Sequence, residues 1–146
     1  MAKLVFPVLP DGLRVDVLIG LDGATTLAQL AAGQPITAPI RARGEIDTGS
    51  NMTAVSAAIR QRLGVPILYQ ATTQTASGSL AVNVFEVSVG VHDSCDPASP
   101  ELVESTLSVM ELTTRLAGVE VLIGLDFLLG CKLVLDGPVR QFSLES

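Results

Sequence analysis

Aromatic residues and cysteines are scarce in this chain. Aromatics are 3% of the 146 residues, with no tryptophan, whereas hydrophobic residues are 48%. The composition predicts a core of Val, Leu, Ile and Ala, which suits strands. Cys95 and Cys131 are too few for a disulfide framework, and the N-terminus has no basic flank followed by an apolar run and a cleavage site. We therefore expect two free thiols and a cytoplasmic location.

Basic residues are also few. The chain has 9 Lys and Arg against 15 Asp and Glu, a formal charge of −6, and no basic run. Nucleic acids and anionic membranes bind clustered basic residues. No apolar run reaches the ~20 residues that a membrane-spanning helix needs. We therefore expect neither nucleic acid nor a membrane as a partner.

The chain has little with which to hold a metal or a cofactor. Its one histidine, His92, has Asp93 and Cys95 nearby but lacks the spaced ligand pairs of a zinc site. No Gly-x-Ser-x-Gly turn accompanies it, and no P-loop or Gly-x-Gly-x-x-Gly occurs. We expect His92 to lie in a solvated loop over residues 91–104, and we expect no metal and no cofactor.

The length and the apolar pattern predict one mainly β domain over residues 1–146. The predicted strands cover residues 3–8, 13–19, 40–46, 80–91, 107–112 and 119–124, with a C-terminal hairpin of 131–135 and 139–144. The apolar phase shifts between Val84 and Phe85, which predicts a bulge there.

Helix signals are few. Ser56 as N-cap and Gly64 as a stop predict a helix over residues 57–63. Asp126 is expected to cap a short helix over 127–130, and Asp22 to act in a turn or as a cap. For residues 25–34 the sequence leaves a helical turn and a wide excursion equally open.

Asp47 stands where the strand over 40–46 ends, in the sequence Ile46-Asp47-Thr48-Gly49-Ser50. Gly49 can accept left-handed backbone angles, so the segment predicts a tight turn that holds the carboxylate by backbone. Ser50 can donate a hydrogen bond to that carboxylate, and Thr48 can point its hydroxyl to a neighbour. The alternative is an aspartate that only caps its own turn.

Three segments in this order resemble the retropepsin-like aspartic proteases, the single-domain relatives of retroviral protease. The first is the Asp47 motif, the second is a small polar hairpin near residues 74–82, and the third is the apolar run 121–129 with Gly124. The resemblance covers most of residues 13–144. It implies a closed β-barrel with one or two short helices and a flap hairpin.

The resemblance also implies an activity. Asp47 would be catalytic, supported by Thr48, Gly49 and Ser50, and the flap tip Ser77, Gly78 and Ser79 would close over an extended peptide. Because the chain has one Asp-Thr-Gly, the second carboxylate must come from another copy, which makes a homodimer necessary. The substrate would be a peptide or an unfolded protein, and a hydrogen bond from Ser50 would give an acidic pH optimum.

Two departures bear on dimerisation rather than on the chemistry. Leu125 stands where retroviral members carry an arginine, and the loop over 91–106 is longer than theirs. Two other functions stay open from sequence. One is a catalytically inactive dimer of the same fold that binds extended peptides, and the other is a purely structural β-domain.

Overall fold

Ten strands and three helices make up the part of the chain that this computed structural model describes, residues 2–113 and 116–146. The strands are β1 (Lys3–Pro7), β2 (Arg14–Gly20), β3 (Ile40–Ile46), β4 (Ala54–Val55), β5 (Tyr69–Thr75), β6 (Gly78–His92), β7 (Leu102–Glu111), β8 (Val121–Ile123), β9 (Lys132–Asp136) and β10 (Gln141–Glu145). The helices are α1 (Gly23–Ala31), α2 (Ala57–Leu63) and α3 (Leu125–Leu128). The prediction of a mainly β fold is confirmed.

Six strands close into a barrel in the order β2-β3-β8-β4-β7-β6, because β6 also pairs with β2. The β3–β8 and β4–β7 pairs are parallel and the other pairs of the ring are antiparallel. β5 pairs with the first half of β6 outside the ring and completes a hairpin. The remaining strands form a second, antiparallel sheet in the order β1-β10-β9.

The alternation of apolar and other residues in the sequence predicts which side chains of a strand lie in the core. Val15, Val17 and Ile19 of β2 are fully buried, as the period of two predicts. They belong to one hydrophobic cluster with residues of the second sheet, among them Phe6 and Phe142, whose rings stack 5.3 Å apart. Both sheets therefore pack on the same core.

α2 has the predicted bounds and the predicted caps. The Ser56 hydroxyl accepts a hydrogen bond from the Ile59 amide at 3.3 Å, and Gly64 ends the helix with a φ of 71°. Val55, Ile59 and Leu63 are buried and form the expected stripe. The helix that follows the Asp47 loop is thus anchored in the barrel core.

α1 begins at Gly23 and covers most of the segment 25–34 that the sequence leaves open. Asp22 caps it by accepting hydrogen bonds from the Thr25 amide at 3.0 Å and the Thr25 hydroxyl at 2.6 Å. The Thr25 hydroxyl bond is the main cause that lowers the pKa of Asp22. Asp126, in contrast, does not cap α3, because the helix begins at Leu125 and Gly124 precedes it. The predicted helix over 127–130 therefore lies two residues too late.

The β6 bulge was predicted in the wrong place. Val84 and Phe85 are both fully buried, yet the β6–β7 ladder runs in register through them and shifts only between Val87 and Val89. At Val84 the strand has β5 on one edge and β7 on the other, and Arg60 of α2 lies 6.0 Å above the Phe85 ring. The apolar phase changes because both faces of the strand are covered there.

His92 does not lie in a solvated loop. It is the last residue of β6, half-buried, and it pairs with Asp16 where β6 closes the barrel. Its Nε2 is buried, with no hydrogen-bond partner among the described residues. β7 begins at Leu102, so the connecting loop is also shorter than predicted. The reason is the long-range pairing with β2, which local sequence does not reveal.

Neither cysteine is in a disulfide. Cys95 is exposed, and Cys131 is half-buried against the core cluster. Burial, together with the charge of Glu104, raises the pKa of the Cys131 thiol. Within the described residues, no three His, Cys, Asp or Glu side chains form a group that could hold a metal ion. None of the helices there has the length and apolar character needed to span a lipid bilayer.

Asp16 fastens the 93–101 loop to the barrel wall. Its carboxylate accepts hydrogen bonds from Arg43 Nη1 at 2.7 Å and from the Ser94 hydroxyl at 2.6 Å. Burial alone raises the pKa of Asp16, but the hydrogen bonds from Ser94 and Arg43 and the charge of Arg43 outweigh it, so the pKa lies below its ordinary value. The folded state therefore favours the ionised form.

This lowered pKa predicts how stability depends on pH. Because the unfolded chain has the higher pKa, about 3.9, the contribution of Asp16 is present above that pH and is lost as the pH falls through the folded-state value. We expect Asp16→Asn to lower the free energy of unfolding by about 1–2 kcal/mol at pH 7. Urea unfolding of both proteins at pH 7 and pH 2.5 measures this. The difference in the free energy of unfolding between wild type and Asp16→Asn should be smaller at pH 2.5. Asp96→Asn, in the same loop, should differ little from wild type at either pH.

Candidate active site

Asp47 lies at the shared end of two parallel strands. β3 ends at the buried Ile46, and the Asp47 amide donates to the Ile123 carbonyl of β8 at 2.9 Å. The pairing brings the end of β8 beside the loop that begins at Asp47. The Asp47 side chain is half-buried, while Thr48 and Gly49 are exposed. Asp47 thus stands at the rim of the barrel, at the junction of strand and turn that the motif predicted.

A backbone amide of the turn holds the Asp47 carboxylate, as predicted. The Gly49 amide donates to Asp47 Oδ1 at 3.0 Å, and the Ser50 amide donates to the Asp47 carbonyl at 3.2 Å. The reason for Gly49 differs from the prediction, because its φ is not in the left-handed region. A Cβ at this position would lie 3.3 Å from Asp47 Oδ1, so glycine serves close approach to the carboxylate.

Ser50 does not donate to the Asp47 carboxylate. Its hydroxyl donates to the Met52 carbonyl at 2.6 Å, two residues further on. A serine in a turn commonly makes such a local side-chain-to-backbone bond, and here it competes with the predicted one. The expected acidic optimum therefore loses the contact on which it rested.

Asp126 fixes the far end of the loop. Its Oδ1 accepts from the hydroxyl of the fully buried Thr53 at 2.7 Å, and its carboxylate oxygens accept from the Thr53 amide at 2.9 and 3.0 Å. The Thr53 hydroxyl in turn accepts from the Gly124 amide at 3.1 Å. Two further backbone bonds, from Leu125 to Ser50 and from Asp126 to Asn51, complete the junction. The loop is thereby bound along its length to the start of α3.

Sequence reasoning missed the role of Thr53 and Asp126. Thr53 lies three residues beyond the Ile46–Ser50 motif, and Asp126 lies in the apolar run 121–129 that carried the resemblance, but nothing in their spacing showed that they meet. The available signal was the pair of residue types: a threonine just before a short apolar segment, and a carboxylate just after the glycine that ends a strand. The antiparallel pairing of β4 with β8, which sets Ala54 opposite Leu122, brings Thr53 to the end of β8 and so to Asp126.

A cavity of about 520 Å³ opens beside Asp47. Its apolar lining includes Ala54, Val82, Met110 and Leu122, and its outer wall is β5 from Ala71 to Thr75. Glu111 also lines it, but this carboxylate is paired with Arg60 Nε at 3.3 Å and accepts from Asn83 Nδ2 at 3.2 Å. Asp47 is therefore the carboxylate of the cavity that no other side chain neutralises among the described residues.

The flap hairpin is present, with Ser77, Gly78 and Ser79 exposed at its tip. Gly78 has a φ of 120°, and the Thr75 hydroxyl donates to its carbonyl at 2.8 Å. The three tip residues do not line the cavity of the single chain; the side of β5 does. Their part in binding stays a prediction.

Gly124 permits the loop and α3 to touch, which gives a prediction. A Cβ on Gly124 would lie 2.6 Å from the Met52 carbonyl carbon and 2.9 Å from the Ser50 carbonyl oxygen, both backbone atoms. We expect Gly124→Ala to lower the free energy of unfolding by about 2–3 kcal/mol, measured by urea denaturation. Gly137→Ala is the matched control, because a Cβ there meets no atom within 4 Å. Equal stability of the two variants would contradict this account.

Comparison with known proteins supports the fold. No protein-family model matches the chain, and no curated protein sequence matches it. Among solved structures, it is similar to a retropepsin-like aspartic protease from Rickettsia conorii, with a TM-score of 0.59 and 16% identity, over 98% of this chain and 89% of that chain. At this identity the likeness concerns architecture alone, and it shows that the chain has a retropepsin-like fold.

Proposed function

We propose that the protein is a homodimeric aspartic endopeptidase, in which two Asp47 carboxylates activate a water molecule to cleave a peptide bond. The observation that carries the proposal is the placement of Asp47. Its carboxylate is held by the Gly49 amide at the mouth of a cavity of about 520 Å³, in a chain of retropepsin-like fold. Groups that act in acid-base catalysis are usually found, like this one, half-buried at the rim of a cleft.

The requirement for a second copy follows from the carboxylates of the cleft. Glu111 cannot act as the second acid, because Arg60 and Asn83 already occupy its oxygens. A symmetric dimer supplies a second Asp47 without any second motif in the chain. Thr48 and Gly49, exposed beside Asp47, are then the loop residues available to contact the partner's loop.

The mechanism follows from two like charges at close range. Two adjacent carboxylates cannot both ionise cheaply, so the pair holds one shared proton. The ionised Asp47 accepts a proton from the water as it attacks the scissile carbonyl carbon, and the protonated Asp47 donates to the carbonyl oxygen. The intermediate then breaks its C–N bond: the Asp47 that took the water proton gives it to the leaving amine, and the other Asp47 takes a proton back from a hydroxyl of the intermediate, which restores the shared proton. The pair titrates as a unit rather than as two separate residues.

The substrate fits as an extended segment. β5 pairs with β6 on one edge, and among the described residues its other edge pairs with no strand. An extended peptide can bond to such an edge as an added strand. The apolar residues of the cavity, Ala54, Val82, Met110 and Leu122, would favour apolar side chains beside the cleaved bond. A cytoplasmic location for this activity stays a prediction.

Replacement of Asp47 tests the chemistry. We expect Asp47→Asn to lower cleavage of an unfolded protein at acidic pH by at least about a thousandfold, because the amide cannot exchange the proton. Wild-type cleavage should also be sensitive to pepstatin. Asp93→Asn, a carboxylate outside the cleft, is the control and should retain activity. A dimer that binds peptides equally well with and without Asp47 and cleaves none would instead be the inactive binding module.

Ser50 gives a separate prediction about pH. Because its hydroxyl donates to the Met52 carbonyl rather than to Asp47, we expect Ser50→Ala to leave the pH optimum of cleavage unchanged. A pH profile of kcat/KM for both proteins measures this. A rise of the optimum by about one unit in the variant, equivalent to about 1.4 kcal/mol, would mean that the hydroxyl turns to the carboxylate in the dimer.

A further inference from the structure

Glu45 lies on the cleft side of β3, two residues before Asp47. Side chains alternate along a strand, and Gly44 and Ile46 face the core, so Glu45 faces the other way. Asp47 continues the ladder, because its amide bonds to the Ile123 carbonyl, and it lines the cavity. Glu45 and Asp47 are therefore neighbours on one side of the strand, with Cα atoms about 7 Å apart.

The apolar floor of the cavity continues across the sheet into Glu45. In the register of the sheet, Leu122 of β8 lies opposite Ala54 on one side and opposite Glu45 on the other. Arg14 of β2 comes next, opposite Glu45. Residues opposite each other on paired strands share a face. Because Ala54 and Leu122 line the cavity, Glu45 and Arg14 extend its floor with charged side chains.

The charged end of this row has an excess of carboxylate. Arg14 Nη2 lies 3.2 Å from Asp11 Oδ2, and Arg14 Nε lies 3.7 Å from Glu45 Oε1. The second distance is too long for a hydrogen bond, and the buried Nε has no hydrogen-bond partner among the described residues. Two carboxylates thus share one guanidinium, and the Glu45 oxygens have lone pairs left for a further donor.

Gly12 makes room for the Glu45 carboxylate. A Cβ on Gly12 would collide with Glu45 Oε1, and the φ of 133° at Gly12 also favours glycine. The Glu45 side chain is 24% exposed and that of Arg14 is 11% exposed. The carboxylate is therefore packed against the backbone of one strand end while it stays accessible from the cleft side.

We propose that Glu45 makes this protein select a lysine or an arginine beside the cleaved bond. The inference rests on the proposed function and names the substrate class of that site. The aliphatic stem of the basic side chain packs on Leu122, and its cationic head reaches Glu45 one strand away, about 4.8 Å further along the floor.

The charges of the row exclude the opposite preference. An acidic substrate side chain in this place would meet two carboxylates and a single guanidinium, which is already shared. A purely apolar side chain fills the floor but leaves the Glu45 oxygens without a donor. Because each copy of the dimer supplies one Glu45, the preference applies to the residues on both sides of the cleaved bond.

Two extended apolar peptides test the selection. They differ at one central position, which is lysine in one and norleucine, the same stem without the ammonium group, in the other. We expect kcat/KM of wild type to be about tenfold higher for the lysine peptide. Glu45→Gln, which keeps the shape and removes the charge, should abolish this difference and leave kcat/KM for the norleucine peptide within about threefold of wild type.

Glu101→Gln is the matched control. The Glu101 carboxylate also lies against a glycine, Gly90, but Glu101 does not line the cavity. This variant should keep the full preference for lysine. Equal kcat/KM for the two peptides in wild type, or an unchanged ratio in Glu45→Gln, overturns the inference.

Arg14→Gln should move the selection in the opposite direction. It removes the cation that the two carboxylates share, so we expect the ratio of kcat/KM for lysine over norleucine to rise several-fold, whereas Glu45→Gln lowers it. A merely structural role of the Arg14–Glu45 pair would shift both variants alike, and a fall of the ratio in both overturns the inference. In wild type the ratio should also fall as the salt concentration rises, since salt screens the charge of a partly exposed carboxylate.

Peptide binding to Asp47→Asn, measured by fluorescence anisotropy, separates the two proposals. Its Kd for the lysine peptide should be about tenfold below its Kd for the norleucine peptide, and the added change Glu45→Gln should make the two equal. If wild type cleaves neither peptide but this difference in Kd is found, the selection by Glu45 stands and the enzyme does not. If wild type cleaves both peptides equally and Asp47→Asn cleaves neither, the enzyme stands and Glu45 does not determine its specificity.

Discussion

The position of the candidate catalytic acid depends on a hydrogen-bonded carboxylate elsewhere in the chain. Asp126 accepts bonds from the amide and hydroxyl of Thr53 and from the amide of Phe127. Bonds to an ionised acceptor are stronger than neutral ones, and these are half-buried, where water competes less for the donors. They hold the end of the Asp47 loop against the start of α3. Two backbone bonds, from the Leu125 amide to the Ser50 carbonyl and from the Asp126 amide to the Asn51 carbonyl, hold the middle of the loop to the same helix.

Barrel closure makes that junction possible. β3 and β8 run parallel, so their carboxyl ends lie at one rim of the barrel, and the segments that follow the two strands contact each other there. The Asp47 loop follows β3, and Gly124 follows β8. Because the backbones of Met52 and Gly124 are too close for any side chain between them, glycine at 124 is a steric requirement of the site. The same rim opens onto the cavity, and the fold thus links the carboxylate to a place where substrate can bind.

Local signals allowed much of this to be predicted from sequence. The caps of α2, Ser56 and Gly64, directly flank the helix, and the alternation of β2 and β3 is visible in consecutive residues. Most of the features that sequence reasoning missed or misplaced depend on distant pairings. His92 is ordered by β2, and Val84 and Phe85 are buried together by β5, β7 and α2. The Ser50 hydroxyl has two acceptors within reach in its own loop, the Asp47 carboxylate and the Met52 carbonyl. It donates to Met52, and the residue types alone do not decide between the two.

Symmetry imposes the last constraint on the proposed assembly. A closed dimer has one two-fold axis, so the two Asp47 carboxylates of the proposed site must face each other across that axis. Because the loop is bound to β8 and to the start of α3, the two loops can meet only as parts of two whole barrels. Thr48 and Gly49 are the exposed residues beside Asp47, so the proposed axis must pass close to them.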